Sequence, residues 1–303
     1  MEHVVPRIRI GISLARMTGM ALLLTVVVAG FPARASTTGP LKITVSILPQ
    51  VWFVENIGGD LVEVSVLVGP GHSPATYEPT PKQMAVLEEA DLFLAAGVPF
   101  EVGLLPRIRA LPHAPPIAGP EPRDHNHHHE MDPHTWLDPA QAQAMADTIS
   151  RHLQVLLPEN AKAIGERYQV LSDQLTDLDG RIRNILAPFE GRGFIVFHPA
   201  FGHFAAAYGL MQVPVEAGGH EPGPRHLAEV IDLAREAGSK SVIVQPQFSR
   251  KSAATVADAI GAEIVVLDPL AADYPANLLK IAGTLAERFA VEDFGEAKEA
   301  VYE

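Results

Sequence analysis

Apolar residues in this chain follow two alternating rhythms. Short β-branched runs at Leu41–Ile47 (LKITVSI), Leu61–Val68 (LVEVSVLV) and 91–95 (DLFLA) predict three strands in the first part. Runs at 193–197 (GFIVF), 241–245 (SVIVQ) and 263–267 (EIVVL) predict three more in the second. Helical stretches at 81–90, 224–237 and 251–260 separate them, the first opening on Pro81. Strands alternating with helices predict parallel sheets covered on both faces, hence an α/β fold in two lobes. Between the two sets, Ile164, Tyr168, Leu171, Leu175, Leu178, Ile182 and Ile185 recur at steps of four and three. That is one stripe of one helix, and it predicts a rigid rod over 159–188 joining the lobes.

The ends and the middle read differently. Arg7, Arg9 and Arg16 precede the apolar stretch 19–31 (GMALLLTVVVAGF), and Ala33-Arg34-Ala35 has the small-x-small form of a cleavage site. Residues 1–35 are thus read as an export signal, with the first lobe over 36–158 and the second over 189–303. The apolar run is shorter than a comfortable spanning helix. Residues 111–132, rich in proline and then histidine, are expected to form an unpacked surface loop.

Charge and cysteine content narrow the function. The chain carries a net −13, and loss of an arginine-rich signal leaves the remainder more acidic still. Such a surface repels nucleic acid and anionic lipid and gathers cations. There is no cysteine, so neither a disulfide nor a lipidated cysteine is available.

Histidine carries the candidate chemistry. Five of thirteen histidines fall between 125 and 134. A histidine-rich loop flanked by carboxylates suits borderline divalent ions. Ligands of open parallel sheets bind beyond the carboxyl ends of strands. His72 follows the second strand, His198 follows the strand at 193–197, and Asp268 follows the strand at 263–267. His134 ends the histidine-rich segment and precedes a helix. Three imidazoles and a carboxylate suit a tetrahedral ion. Imidazole favours zinc over manganese, with nickel, copper and cobalt left open. Each residue also has a structural reading: a histidine after a strand can simply hydrogen-bond, and Asp268 can cap a helix.

Residues 69–84 (GPGHSPATYEPTPKQM), 90–101 (ADLFLAAGVPFE), 132–139 (DPHTWLDP), 197–210 (FHPAFGHFAAAYGL) and 266–270 (VLDPL) resemble the zinc/manganese solute-binding proteins of metal ABC transporters. That resemblance implies a periplasmic binding protein with a long backbone helix, a zinc cargo and an inner-membrane permease as partner, acting as a monomer. It makes His134 and His198 metal ligands and Asp268 the carboxylate ligand. The family's first histidine falls at Ala75, so His72 is proposed in its place, with His203, His220 and Glu78 as further candidates. Two other functions stay open. A binding protein for a metal chelate such as a siderophore or corrinoid would want more aromatics than two Trp and five Tyr. A zinc hydrolase would want a general base, and no HExxH or nucleophile elbow is present.

Overall fold

Valine and isoleucine fill a pleated ribbon well, and the β-branched runs fold as expected. The structure, a computed structural model, describes residues 39–120, 122, 132–216, 223–236, 239–248 and 250–291. The export-signal reading of 1–35 and the histidine run 125–129 therefore lie outside the described residues. Strands β1 (Leu41–Ile47), β2 (Val62–Val68), β3 (Leu92–Leu94) and β4 (Ile117–Ala118) form one sheet in the order β2-β1-β3-β4. Strands β5 (Gly193–Val196), β6 (Met211–Pro214), β7 (Ser241–Val244) and β8 (Glu263–Val266) form a second, in the order β6-β5-β7-β8. Every pairing in both sheets is parallel.

Helices cover the sheets. They are α1 (Leu48–Gly58), α2 (Pro81–Glu88), α3 (Phe100–Arg109), α4 (Pro139–Leu156), α5 (Ala161–Leu186), α6 (Gly202–Ala207), α7 (Pro224–Glu236), α8 (Arg250–Ile260) and α9 (Tyr274–Val291). Helix α2 starts where Thr80 accepts from the Gln83 amide and Pro81 supplies the first turn. Helix α4 starts on Asp138, whose carboxylate accepts from the Ala140 N–H. No helix among the described residues is long and apolar enough to cross a membrane.

The rod is α5, entered through a 3-10 turn at Pro158–Asn160. Its 26 residues span about 39 Å at about 1.5 Å each. Ile164, Leu171, Leu175, Leu178 and Ile182 of the stripe are buried along one face together with Leu186, while Tyr168 and Ile185 of the stripe are half-buried. They join a core that takes in β1 and β3 from the first lobe and Phe194, Val196 and Val265 from the second. A separate core under α7 and α8 holds Ile195, Phe197, Val230, Val242, Val244 and Val256.

Two strands were not anticipated. β6 is half-buried throughout and ends on Pro214, which blurs the apolar signal. β4 lies inside the proline-rich stretch that was expected to pack nothing. That expectation is corrected: Ile117 and Ala118 pair with Phe93 and Leu94, and Ala118 is buried.

The seam between the lobes is made of large rings. Trp136 donates its indole N–H to the Pro269 carbonyl at 2.8 Å, and the Tyr274 hydroxyl donates to the Trp136 carbonyl at 2.6 Å. The Tyr274 ring stacks on Trp52 of α1 at 5.3 Å and meets Phe53 edge-on at 4.8 Å. Burial pushes the Tyr274 hydroxyl well above its ordinary range, so it stays a donor.

Gly180 lies inside α5, where a Cβ would meet nothing within 4 Å. Glycine inside a helix is disfavoured against alanine by about 1 kcal/mol. Gly180→Ala is therefore expected to stabilise the protein by roughly that amount. Urea denaturation would show it as a higher midpoint at unchanged slope.

Candidate metal centre

The site is built where the two lobes face each other. His198 leaves the end of β5, and Gln245 at the end of β7 brackets its backbone. The Gln245 Oε1 accepts from the His198 N–H at 3.2 Å, and its Nε2 donates to the His198 carbonyl at 2.6 Å. Gln245 is fully buried, so its amide is held firmly. The imidazole stacks on Phe248 at 4.7 Å. Its Nδ1 bonds Glu216 Oε2 at 2.5 Å. Glu216 stands two residues past β6 and is itself buried.

His134 comes from the other side, in the turn that leads into α4. Its backbone N–H donates to Asp132 Oδ1 at 2.9 Å, and its Nδ1 bonds the same oxygen at 2.5 Å. The ring packs edge-on against Trp136 at 5.1 Å. It also stands 5.4 Å from the ring of His198, nearly perpendicular to it.

Both imidazoles are thus fixed by the same device: a carboxylate takes Nδ1, which leaves Nε2 as the nitrogen free for a metal. A ring pinned this way keeps one tautomer and one orientation. Burial is the largest influence on His134 and disfavours its charged form. It outweighs Asp132, with help from the nearby His198 and His203, and holds the imidazole below its ordinary value. Burial opposes the charge on Asp132 too, but the bonds from the His134 side chain and backbone hold that carboxyl low. An anionic carboxylate against a neutral imidazole is the state that ligates.

Asp268 follows β8 by two residues. Its Oδ1 accepts from the Leu270 N–H at 2.9 Å and from Gln247 Nε2 at 2.8 Å. It caps a turn rather than a helix. The Trp136 to Pro269 bond ties its neighbour to the His134 segment.

His72 sits on the exposed loop after β2. Its Nδ1 bonds the Pro70 carbonyl at 3.1 Å, and its ring meets Tyr77 edge-on at 5.8 Å. Ser73, Thr76, Tyr77, Glu78 and Thr80 line the hollow beside it. Ala75 donates its N–H to the Ser73 hydroxyl. Among the described residues no three His, Asp or Glu side chains are grouped closely enough to hold one ion. The structure brings together His134 and His198; His72 and Asp268 are not gathered with them. His203 has both ring nitrogens engaged, one by Gln141 and one by the Asp132 carbonyl. His220 lies outside the described residues. Asp132 and Glu216 were missed as site residues. Asp132 carried a signal, two residues before a candidate ligand; Glu216 carried none.

A family profile described as zinc-uptake complex component A, periplasmic (ZnuA) matches residues 43–288. This chain belongs to the ZnuA family. The high-affinity zinc uptake system protein ZnuA of Bacillus subtilis is 30% identical over 250 residues, covering 76% of this chain and 78% of that one. A ZnuA crystal structure superposes with a TM-score of 0.76 at 39% identity, over 82% of this chain and 99% of that one. The periplasmic zinc-binding protein TroA of Treponema pallidum shares the fold at a TM-score of 0.75 and 20% identity, over 82% of this chain and 99% of that one. The ZnuA family is a transport component that binds metal, not an enzyme family.

Two outcomes follow from the pinned pair. Removing a partner that orients a metal-bound histidine typically weakens binding about 10–100-fold. Glu216→Gln and Asp132→Asn are each expected to weaken zinc binding by that order, measured by competition with a chromogenic chelator. Because His134 is held below its ordinary value, it is neutral at and above about pH 6.5. Zinc affinity should therefore change little with His134 protonation above that pH and fall on acidification below it, in the same titration run across pH.

Proposed function

We propose that this protein captures a zinc ion outside the cytoplasm and hands it to an ABC importer in the inner membrane. The observation that carries this reading is the pair His134 and His198. They arrive from opposite lobes, each with Nδ1 taken by a carboxylate, with their rings 5.4 Å apart. An ion between them would be held by both lobes at once. Membership of the ZnuA family and the zinc named for its relatives support the same cargo. In this reading residues 1–35 are removed on export, and the chain works as a monomer that docks on its permease.

His134 and His198 are the core ligands. Asp268 is the proposed carboxylate, supported by the bond that joins its neighbour Pro269 to Trp136. His72 is the proposed fourth donor. It would have to release the Pro70 carbonyl and leave Tyr77, on a loop where Gly71 already has a φ of 77° and allows an unusual turn. The histidine-rich segment 125–129 is assigned weaker capture.

Zinc dissociation constants of single alanine variants test this set. His134→Ala and His198→Ala should each lose more than the roughly 10–100-fold typical of an orienting partner. Asp268→Ala and His72→Ala should match them. An unchanged constant for His72→Ala would remove that residue and leave three protein ligands. Unchanged constants for His134→Ala and His198→Ala would end the reading altogether.

A further inference from the structure

We propose that His203 and Gly202, on the second lobe, are positioning residues for the metal ligand His134, acting through Asp132. The proposal rests on His134 being a ligand. A chain of hydrogen bonds crosses the seam beside the pair. Asp138, which starts α4, accepts from Gln141 Nε2 at 3.0 Å. The same nitrogen lies 2.9 Å from His203 Nδ1. A carboxylate accepts only, so this end of the Gln141 amide is its N–H₂, and His203 Nδ1 is the acceptor. The proton of His203 is then on Nε2, which donates to the Asp132 carbonyl at 2.8 Å. Asp132 in turn receives both the backbone N–H and Nδ1 of His134 on one carboxylate oxygen.

His203 therefore fixes the main chain of Asp132 from the opposite lobe, while its own ring is fixed by α4. Gly202 fixes the side chain. A Cβ at residue 202 would stand 2.5 Å from Asp132 Oδ2 and 2.9 Å from Gln212 Nε2. Asp132 cannot swing away freely, since His134 holds its other oxygen. The missing Cβ is the room in which that carboxylate sits. Asp132 Oδ2 is buried and has no hydrogen-bond partner among the described residues. Its location thus depends on the space at Gly202 and the bonds at Oδ1. Neither His203 nor Gly202 offers a group to the ion; each decides where Asp132, and hence the His134 ring, stands.

The test compares His203→Ala, His203→Gln, Gly202→Ala and, as a control, His134→Ala. Each purified protein is titrated with zinc against a chelator, loaded with cobalt(II) for its visible spectrum, and melted without metal. His203→Ala and Gly202→Ala should weaken zinc about 10–100-fold and shift the cobalt bands, which report ligand geometry. His203→Gln should restore most of the affinity, because its amide N–H₂ can reach the Asp132 carbonyl where the ring Nε2–H stood. Unchanged affinity in both His203→Ala and Gly202→Ala would overturn the proposal. So would a loss with unshifted cobalt bands, or a glutamine variant as weak as the alanine one. If His134→Ala itself binds as the parent does, the metal-site reading fails; if it loses affinity while His203→Ala does not, only the positioning role fails.

Discussion

The hydrogen bond from the Trp136 indole to the Pro269 carbonyl is the contact on which the site depends. Trp136 lies two residues after His134, and Pro269 directly follows Asp268. One bond of 2.8 Å therefore sets the approach of two segments that are distant in sequence. The Tyr274 hydroxyl closes the arrangement by donating to the Trp136 carbonyl, and its ring is held by Trp52 and Phe53. Buried aromatics bring large contact areas, and their polar tips find partners here instead of paying for burial.

Around that clamp the two lobes use one solution twice. A parallel sheet ends its strands on a common side, and the residues just beyond those ends face the other lobe. His198 and Asp268 stand there because β5 and β8 stop where they do. Each imidazole in the pair then needs an anchor to give up its rotational freedom, and a buried or half-buried carboxylate supplies it. The arrangement fixes the rings before any ion arrives, so less ordering remains to be done on binding.

Much of this was legible in the order of residues. The β-branched runs located six strands, and the four-three stripe located α5, because both periods come directly from backbone geometry. The histidines after strands were picked out by the same logic. What stayed hidden depends on register. Glu216 reaches His198 only because β6 pairs with β5 so that Pro214 lies opposite Val196. β6 itself, half-buried and ending on proline, gives no clean pattern. The ring of His72 turns on a side-chain rotation that no spacing encodes. The role of His203 emerges only when Gln141 and Asp132, 62 and 71 residues away in the chain, are seen beside it.

The seam also bears on how a cargo could leave. Helix α5 carries residues of a core that both lobes share, and Tyr274, Trp136, Trp52 and Phe53 lock the interface. Prising the halves apart would expose those rings to water at roughly 25 cal/mol for each Å² of apolar surface. Exit by wholesale opening is thus the expensive route. Small displacements cost less: the exposed loop carrying His72 can shift while the rings stay packed. Release by such a local shift would leave the outline of the carrier almost unchanged.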